Sequence, residues 1–112
     1  MYMTVRQLKE QLELTVLVEQ NIDKEITGCY IGDLLSWVMS RVQTGNVWLT
    51  VMGNVNAIAV AALSDAACII LTDSAVLDQD AKEKAHHQGV TVFSSNANSY
   101  QVAVQLSRLL SE

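Results

Sequence analysis

Val47-Trp48-Leu49-Thr50-Val51 runs through Met52-Gly53-Asn54 into Val55-Asn56-Ala57-Ile58-Ala59-Val60-Ala61-Ala62-Leu63-Ser64, and the same order of apolar strand, short polar loop and helix recurs twice more. The later strands read as Ala67–Leu71 and Thr91–Ser94, and the later helices as Asp78–Gln88 and Asn98–Leu110. Each helix carries the chain back so that the next strand starts in the same direction, which predicts a parallel sheet. Such crossovers are right-handed, which fixes the local topology, and parallel strands end at one common edge of the sheet. Their exits are Met52-Gly53-Asn54, Thr72-Asp73-Ser74 and Ser94-Ser95-Asn96. Open α/β sheets bind ligands at that edge.

Upstream, Thr4-Val5-Arg6-Gln7 has the form of a capping box for a short helix ending near Leu12, with Val5, Leu8 and Leu12 on one face. Leu14–Val18 and Ile26–Ile31 read as strands joined by the polar stretch Glu19–Lys24, with Gly28 a bulge or a close backbone approach. These two strands pair with each other at one side or form a small subsheet. Asp33 is a good N-cap for a helix that turns Leu34, Leu35, Val38 and Val42 inward and stops at Gly45. Trp37 and Met39 lie off that stripe, under a loop or in an interface. The expected architecture is a three-layer α/β sandwich with a mostly parallel sheet.

Strand Ala67–Leu71 is apolar throughout, as a centre strand covered on both faces must be. Helix Ala57–Leu63 is apolar almost all round, which places it deep in the core or at a subunit contact. Asp78/Lys82 and Asp80/Lys84 have the spacing of surface ion pairs, and Gly89 closes their helix. Asn98 caps the last helix, whose buried stripe is Val102, Ala103, Leu106, Leu109 and Leu110.

The chain of 112 residues suits one domain, 1–112. Half of it is hydrophobic and only 17% is charged, so part of the surface is expected to be covered in an oligomer. The net charge of −5 disfavours nucleic acid and anionic membranes as partners. No apolar run is long enough to span a membrane and no signal peptide is visible, which suggests a cytoplasmic protein. Cys29 and Cys68 fall in apolar surroundings without metal-ligand spacing and read as buried, reduced thiols.

The candidate chemistry is confined to the three exits. Gly53, Asn54 and Asn56 precede a helix, where free amides can hold an anion or the asparagines can simply cap the helix. Thr72, Asp73 and Ser74 can meet a cation or a ribose hydroxyl, or form only a turn. Ser94, Ser95 and Asn96 can complete a neutral hydrogen-bonding pocket, or serve as loop and cap. No Lys or Arg lies in any exit, which argues against a triphosphate. His86 and His87 are adjacent on a helix and point about 100° apart, so they read as surface residues and not as joint metal ligands. No nucleophile, acid or base falls into a catalytic arrangement, and neither a cofactor nor an enzymatic activity is expected.

Gly32-Asp33-Leu34-Leu35-Ser36-Trp37-Val38-Met39, taken with the three repeats and the closing Ser94-Ser95-Asn96-Ala97-Asn98-Ser99-Tyr100, resembles the DRTGG-domain family. The likeness runs from about Ile26 to Leu110 and is greatest to small stand-alone members similar to the N-terminal domain of HPr kinase. Where the family carries Gly-Asp-Arg this chain has Gly53-Asn54-Val55, and where the family carries a glycine pair it has Asp73-Ser74. The resemblance implies a regulatory or dimerising module, alone or attached to a partner enzyme, and no kinase activity. Two functions follow as expectations. One is a non-catalytic homodimerising regulator. The other is a sensor of a small polar ligand or nucleotide, acting through loops 53–56, 72–74 and 94–98.

Overall fold

The β-branched and aromatic residues around Trp48 can bury both faces of a strand only if helices lie above and below, and the fold supplies both layers. The structure, a computed structural model, describes residues 3–111. In chain order the elements are β1 (Met3–Thr4), α1 (Val5–Leu12), β2 (Thr15–Val18), β3 (Glu25–Ile26), β4 (Gly28–Ile31) and α2 (Leu35–Arg41). They continue with β5 (Asn46–Thr50), α3 (Val55–Leu63), β6 (Cys68–Leu71), α4 (Gln79–Gln88), β7 (Val92–Ser94) and α5 (Ser99–Leu110). The main sheet has the order β2-β7-β6-β5-β4. Strands β4 to β7 are parallel, and β2 joins β7 antiparallel with a register irregularity between Val16 and Val18.

Alternate residues divide the core in two. Trp48, Ile69, Leu71 and Val92 pack beneath α2, α3 and α4, against Val38, Ile58, Val60, Ala61, Ala81 and Ala85. Val47, Leu49, Cys68, Ile70 and Phe93 face α1 and α5, against Val5, Leu8, Val102 and Leu106. A large apolar side chain taken wholly out of water contributes roughly 1.5–3 kcal/mol, so these two layers supply most of the driving force. α3, apolar almost all round, sits between α2 and α4 on the sheet. It is buried by its own neighbours, and its one large apolar residue that is strongly exposed is Leu63 at its end, at 78%.

The three repeats lie where the sequence places them, to within one residue at each end. The N-terminal half differs in several respects. The stretch Ile26–Ile31 is two strands. Glu25–Ile26 pairs antiparallel with Met3–Thr4 in a separate two-stranded sheet, and Gly28–Ile31 adds to β5. The break falls at Thr27, whose amide donates to Gly45 O at 2.9 Å and whose hydroxyl donates to Thr44 O at 2.7 Å. Thr15–Val18 and Gly28–Ile31 do not pair with each other; they form the opposite edges of the main sheet. Gly28 is a close approach, since a Cβ there would stand 3.3 Å from Asn46 Nδ2.

The Thr4 capping box forms as read: Gln7 N donates to Thr4 Oγ1 at 3.3 Å and Thr4 N donates to Gln7 Oε1 at 2.9 Å. Asp33 does not cap α2. The cap position is Leu34, which has no side-chain bond and is 62% exposed rather than turned inward. α2 ends at Arg41, and Gly45 instead makes the turn into β5 at φ +82°. A Cβ on Gly45 would stand 2.7 Å from Thr27 Cγ2. Among the described residues the ion pairs are Arg6–Asp23 at 3.1 Å, Lys9–Glu19 at 2.7 Å and Lys24–Asp65 at 2.5 Å. The helical pairs Asp78/Lys82 and Asp80/Lys84 do not form among the described residues. Asp80 Oδ1 instead accepts from the Ala81 amide at 3.0 Å.

Candidate functional site

Parallel β5, β6 and β7 deliver their three exits to one edge of the sheet, as the alternation requires. What the exits do there is mostly to hold one another. Asp73 N donates to Ala97 O at 2.8 Å and Ser74 N donates to Ser95 O at 3.0 Å, so the second and third exits are laced together by main chain. Side chains tighten the seam: Ser74 Oγ bonds Asn96 Oδ1 at 2.7 Å, and Thr72 Oγ1 lies 2.8 Å from Ser99 Oγ. Ser95 Oγ accepts from the Ala97 amide at 3.1 Å. Thr72 is buried and its hydroxyl is used by this bond, whereas Asp73 and Ser74 are exposed. Asp73 and Ser74 both hold left-handed backbone, at φ +55° and +57°. Left-handed geometry at two successive positions is what a glycine pair there would provide.

The first exit stands apart from that seam. Asn54 caps α3, accepting from Ala57 N at 2.9 Å, and Asn56 is exposed in the first turn of the helix. The Gly53 carbonyl accepts from Asp78 N, in the chain after β6, at 2.8 Å. A Cβ on Gly53 would overlap Val76 O and lie 2.9 Å from Val76 C and 3.0 Å from Leu77 Cα. Its φ is not in the left-handed region, so the glycine is required by crowding from protein backbone. The close approach at Gly53 is therefore occupied by Val76.

Asp33, read as a helix cap, is part of this edge. Its Oδ1 accepts from Thr50 Oγ1 at 2.7 Å and from Val51 N at 2.9 Å, which fastens the loop after β4 to the end of β5. Thr50 is 1% exposed, so the carboxylate satisfies a hydroxyl that has no water to turn to. A cap and a tertiary acceptor look alike in sequence, because a short carboxylate just before a helix can serve in either role.

Away from this edge, Cys68 is buried and Cys29 is exposed, which corrects the reading of two buried thiols. Apolar surroundings still push the Cys29 thiol up to about 11, and burial raises Cys68 further. Val47 lies between the two cysteines in register. Two strand spacings separate their backbones by about 9.6 Å, beyond the reach of a disulfide. His86 is exposed, with Nδ1 3.3 Å from Gln20 Nε2, and His87 is exposed beside it. Among the described residues no three His, Cys, Asp or Glu side chains converge as a metal site. Among them, too, no helix is long and apolar enough to cross a membrane.

Sequence reasoning missed Lys82 and Gln79. They stand in the first turn of α4 and line a groove of about 290 Å³ with Ser94, Leu17, Ala75, Val76 and Leu77. The residues come from three separate segments, so no local pattern announces them.

A search of curated proteins finds no match. Among solved structures, the chain is similar to the CBS and DRTGG domains of the regulatory region of Clostridium perfringens pyrophosphatase, determined in complex with its activator, diadenosine tetraphosphate. The TM-score is 0.73 at 12% identity, over 96% of this chain and 47% of that one. The chain thus spans about half of the solved regulatory region, and the likeness is one of fold. The family model for the DRTGG domain matches residues 7–109, which takes in α1 as well as the stretch from Ile26 onward. A mostly parallel sheet between two helical layers, with a match over nearly its whole length, leads to one conclusion: this chain belongs to the DRTGG domain family.

Proposed function

We propose that this chain is a non-catalytic regulatory module of the cytoplasm that self-associates as a homodimer and acts on a partner enzyme. The observation that carries self-association is the outer surface of α2. Leu34, Trp37 and Met39 are 62%, 55% and 53% exposed, and no loop covers them among the described residues. The Arg41 guanidinium lies 4.0 Å from the Trp37 ring centre, which fixes the indole in place as a preformed contact. Leu34 and Trp37, three apart, share one flank of the helix, and Met39 lies on the other side of buried Val38; exposed aromatic and apolar side chains are the usual anchors of an interface, and a two-fold dimer is the commonest closed assembly. Light scattering at high micromolar concentration tests it: a dimer is expected, and Trp37→Glu should yield a folded monomer. A parent that is monomeric at that concentration removes the proposal.

The second reading is a sensor whose ligand meets loops 53–56, 72–74 and 94–98. It is favoured by the shared edge and by Asn56 and Asp73, whose exposed side chains form no hydrogen bond among the described residues. The related regulatory region was solved with diadenosine tetraphosphate, so dinucleoside polyphosphates join mononucleotides and acyl phosphates in a thermal-shift screen. Stabilisation that Asn56→Ala and Asp73→Ala reduce supports a ligand at the loops. A shift unchanged in both variants refutes it.

A further inference from the structure

The chain reverses sides after β7. α2, α3 and α4 all return over one face of the sheet, whereas α5 returns over the other. The loop after β6 therefore rises to one face and the loop after β7 drops to the other. Open α/β sheets place ligands where neighbouring loops diverge in this way. Here the seam of Asp73, Ser74, Ser95 and Ala97 joins the two loops, and the open space is a groove on the α4 side, lined by Leu17, Ala75, Val76, Leu77, Gln79, Lys82 and Ser94.

The polar groups of the two regions differ in one respect. In the loops, Asn54, Thr72, Ser74, Ser95 and Asn96 use their side chains on the protein itself. In the groove, the Ser94 hydroxyl, the Gln79 amide and the Lys82 ammonium make no hydrogen bond or ion pair among the described residues. One hydroxyl, one amide and one cation with spare capacity thus share a wall otherwise made of Leu17, Ala75, Val76 and Leu77. A small set of convergent polar groups on an apolar lining is the composition of a ligand site.

We propose that this groove binds a small organic monoanion: a carboxylate on Lys82, hydrogen-bonded by Gln79 and Ser94, with a short apolar body against Leu17 and Val76. The volume is just below the ~300 Å³ at which drug-sized sites begin, which limits the ligand to a small metabolite. One ammonium, with Asp78 and Asp80 close by in sequence and a chain charge of −5, suits a single negative charge and not a polyphosphate. This assignment rests on the sensor reading and moves its ligand from the loop tips to the groove beside α4.

The test is an amide-resolved NMR titration of the intact chain with hexanoate, phenyl phosphate and hexylamine. Hexanoate is expected to give saturable shifts at Leu17, Val76, Lys82 and Ser94, and hexylamine none there. Lys82→Met should weaken hexanoate about tenfold, as expected for loss of one charge-assisted bond, with the melting temperature unchanged. Lys82→Arg should retain most of the affinity, and Ser94→Ala gives a second variant at the same wall. Shifts confined to Gly53, Asn56, Asp73 and Asn96 would overturn the groove while leaving a ligand at the loops. Equal response to hexylamine, or unaltered affinity in Lys82→Met, would overturn the anion assignment. No shift with any probe at millimolar concentration would overturn the groove and leave the sensor reading to stand or fall on the nucleotide screen.

Discussion

Replacing Gly53 with Ala separates a structural glycine from a ligand-binding one. The added methyl would sit 2.9 Å from Val76 C and 3.0 Å from Leu77 Cα. Carbon atoms prefer about 3.5–4.0 Å, so the 76–78 backbone must retreat by roughly 1 Å. That retreat breaks the 2.8 Å bond from Asp78 N to Gly53 O, just where α4 begins. The lost bond costs about 1 kcal/mol. Overpacking against backbone costs a further ~1–3 kcal/mol. The smaller conformational freedom of Ala in the unfolded chain offsets about 0.4–1 kcal/mol. The net expectation is a loss of ~2–3 kcal/mol, or a fall in Tm of about 8–12 °C for a domain of this size. Urea unfolding at 25 °C with a circular-dichroism melt measures both. A variant within ~0.5 kcal/mol of the parent would refute the reasoning, because surface substitutions of no structural consequence fall in that range.

Three shorter expectations accompany it. Asp33→Ala should destabilise by about 1–3 kcal/mol, because buried Thr50 and the Val51 amide lose a charged acceptor, while Asp33→Asn should recover part of this; chemical denaturation of both variants decides. Asp73→Gly should stabilise by up to about 1 kcal/mol, since it relieves a left-handed non-glycine residue that makes no side-chain bond among the described residues, and an unchanged or lower melting temperature would contradict it. Cys29, with its thiol held at about 11, should alkylate with iodoacetamide near pH 8 roughly 100-fold more slowly than a free cysteine. Because its folded-state value is raised, its contribution to stability is intact below about pH 9 and declines as pH rises toward 11, so the loss of stability between pH 8 and 10.5 should be larger in the parent than in Cys29→Ser.

The three strand–helix repeats were legible because each satisfies several signals at once. β6 is apolar at every position, Gly89 takes the left-handed cap at φ +73°, and Asn98 with Gln101 completes a capping box. The N-terminal half offers shorter strands whose partners are far away in sequence. Nothing in Leu14–Val18 states that its neighbour is Val92–Ser94, and nothing in Ile26–Ile31 marks the break that Gly45 imposes at Thr27 from across a turn. The rim was legible as a place: parallel strands do bring the three exits together. Its chemistry was not, because whether a serine or asparagine faces a ligand or a neighbouring loop depends on contacts such as Ser74 with Asn96. Lys82 escaped notice for the related reason that its companions Leu17 and Ser94 are separated from it by many residues and one of them sits on an antiparallel strand.

The lacing of residues 73–74 to 95–97 joins segments that lead to opposite outer layers of the molecule. α4 starts five residues after Ser74, and α5 starts two residues after Ala97. The seam between them is main chain to main chain, so it survives the replacement of almost any side chain around it. Two backbone hydrogen bonds thus tie the approach to α4, on one face of the sheet, to the approach to α5 on the other, so the two outer layers share a fixed point at the sheet's edge.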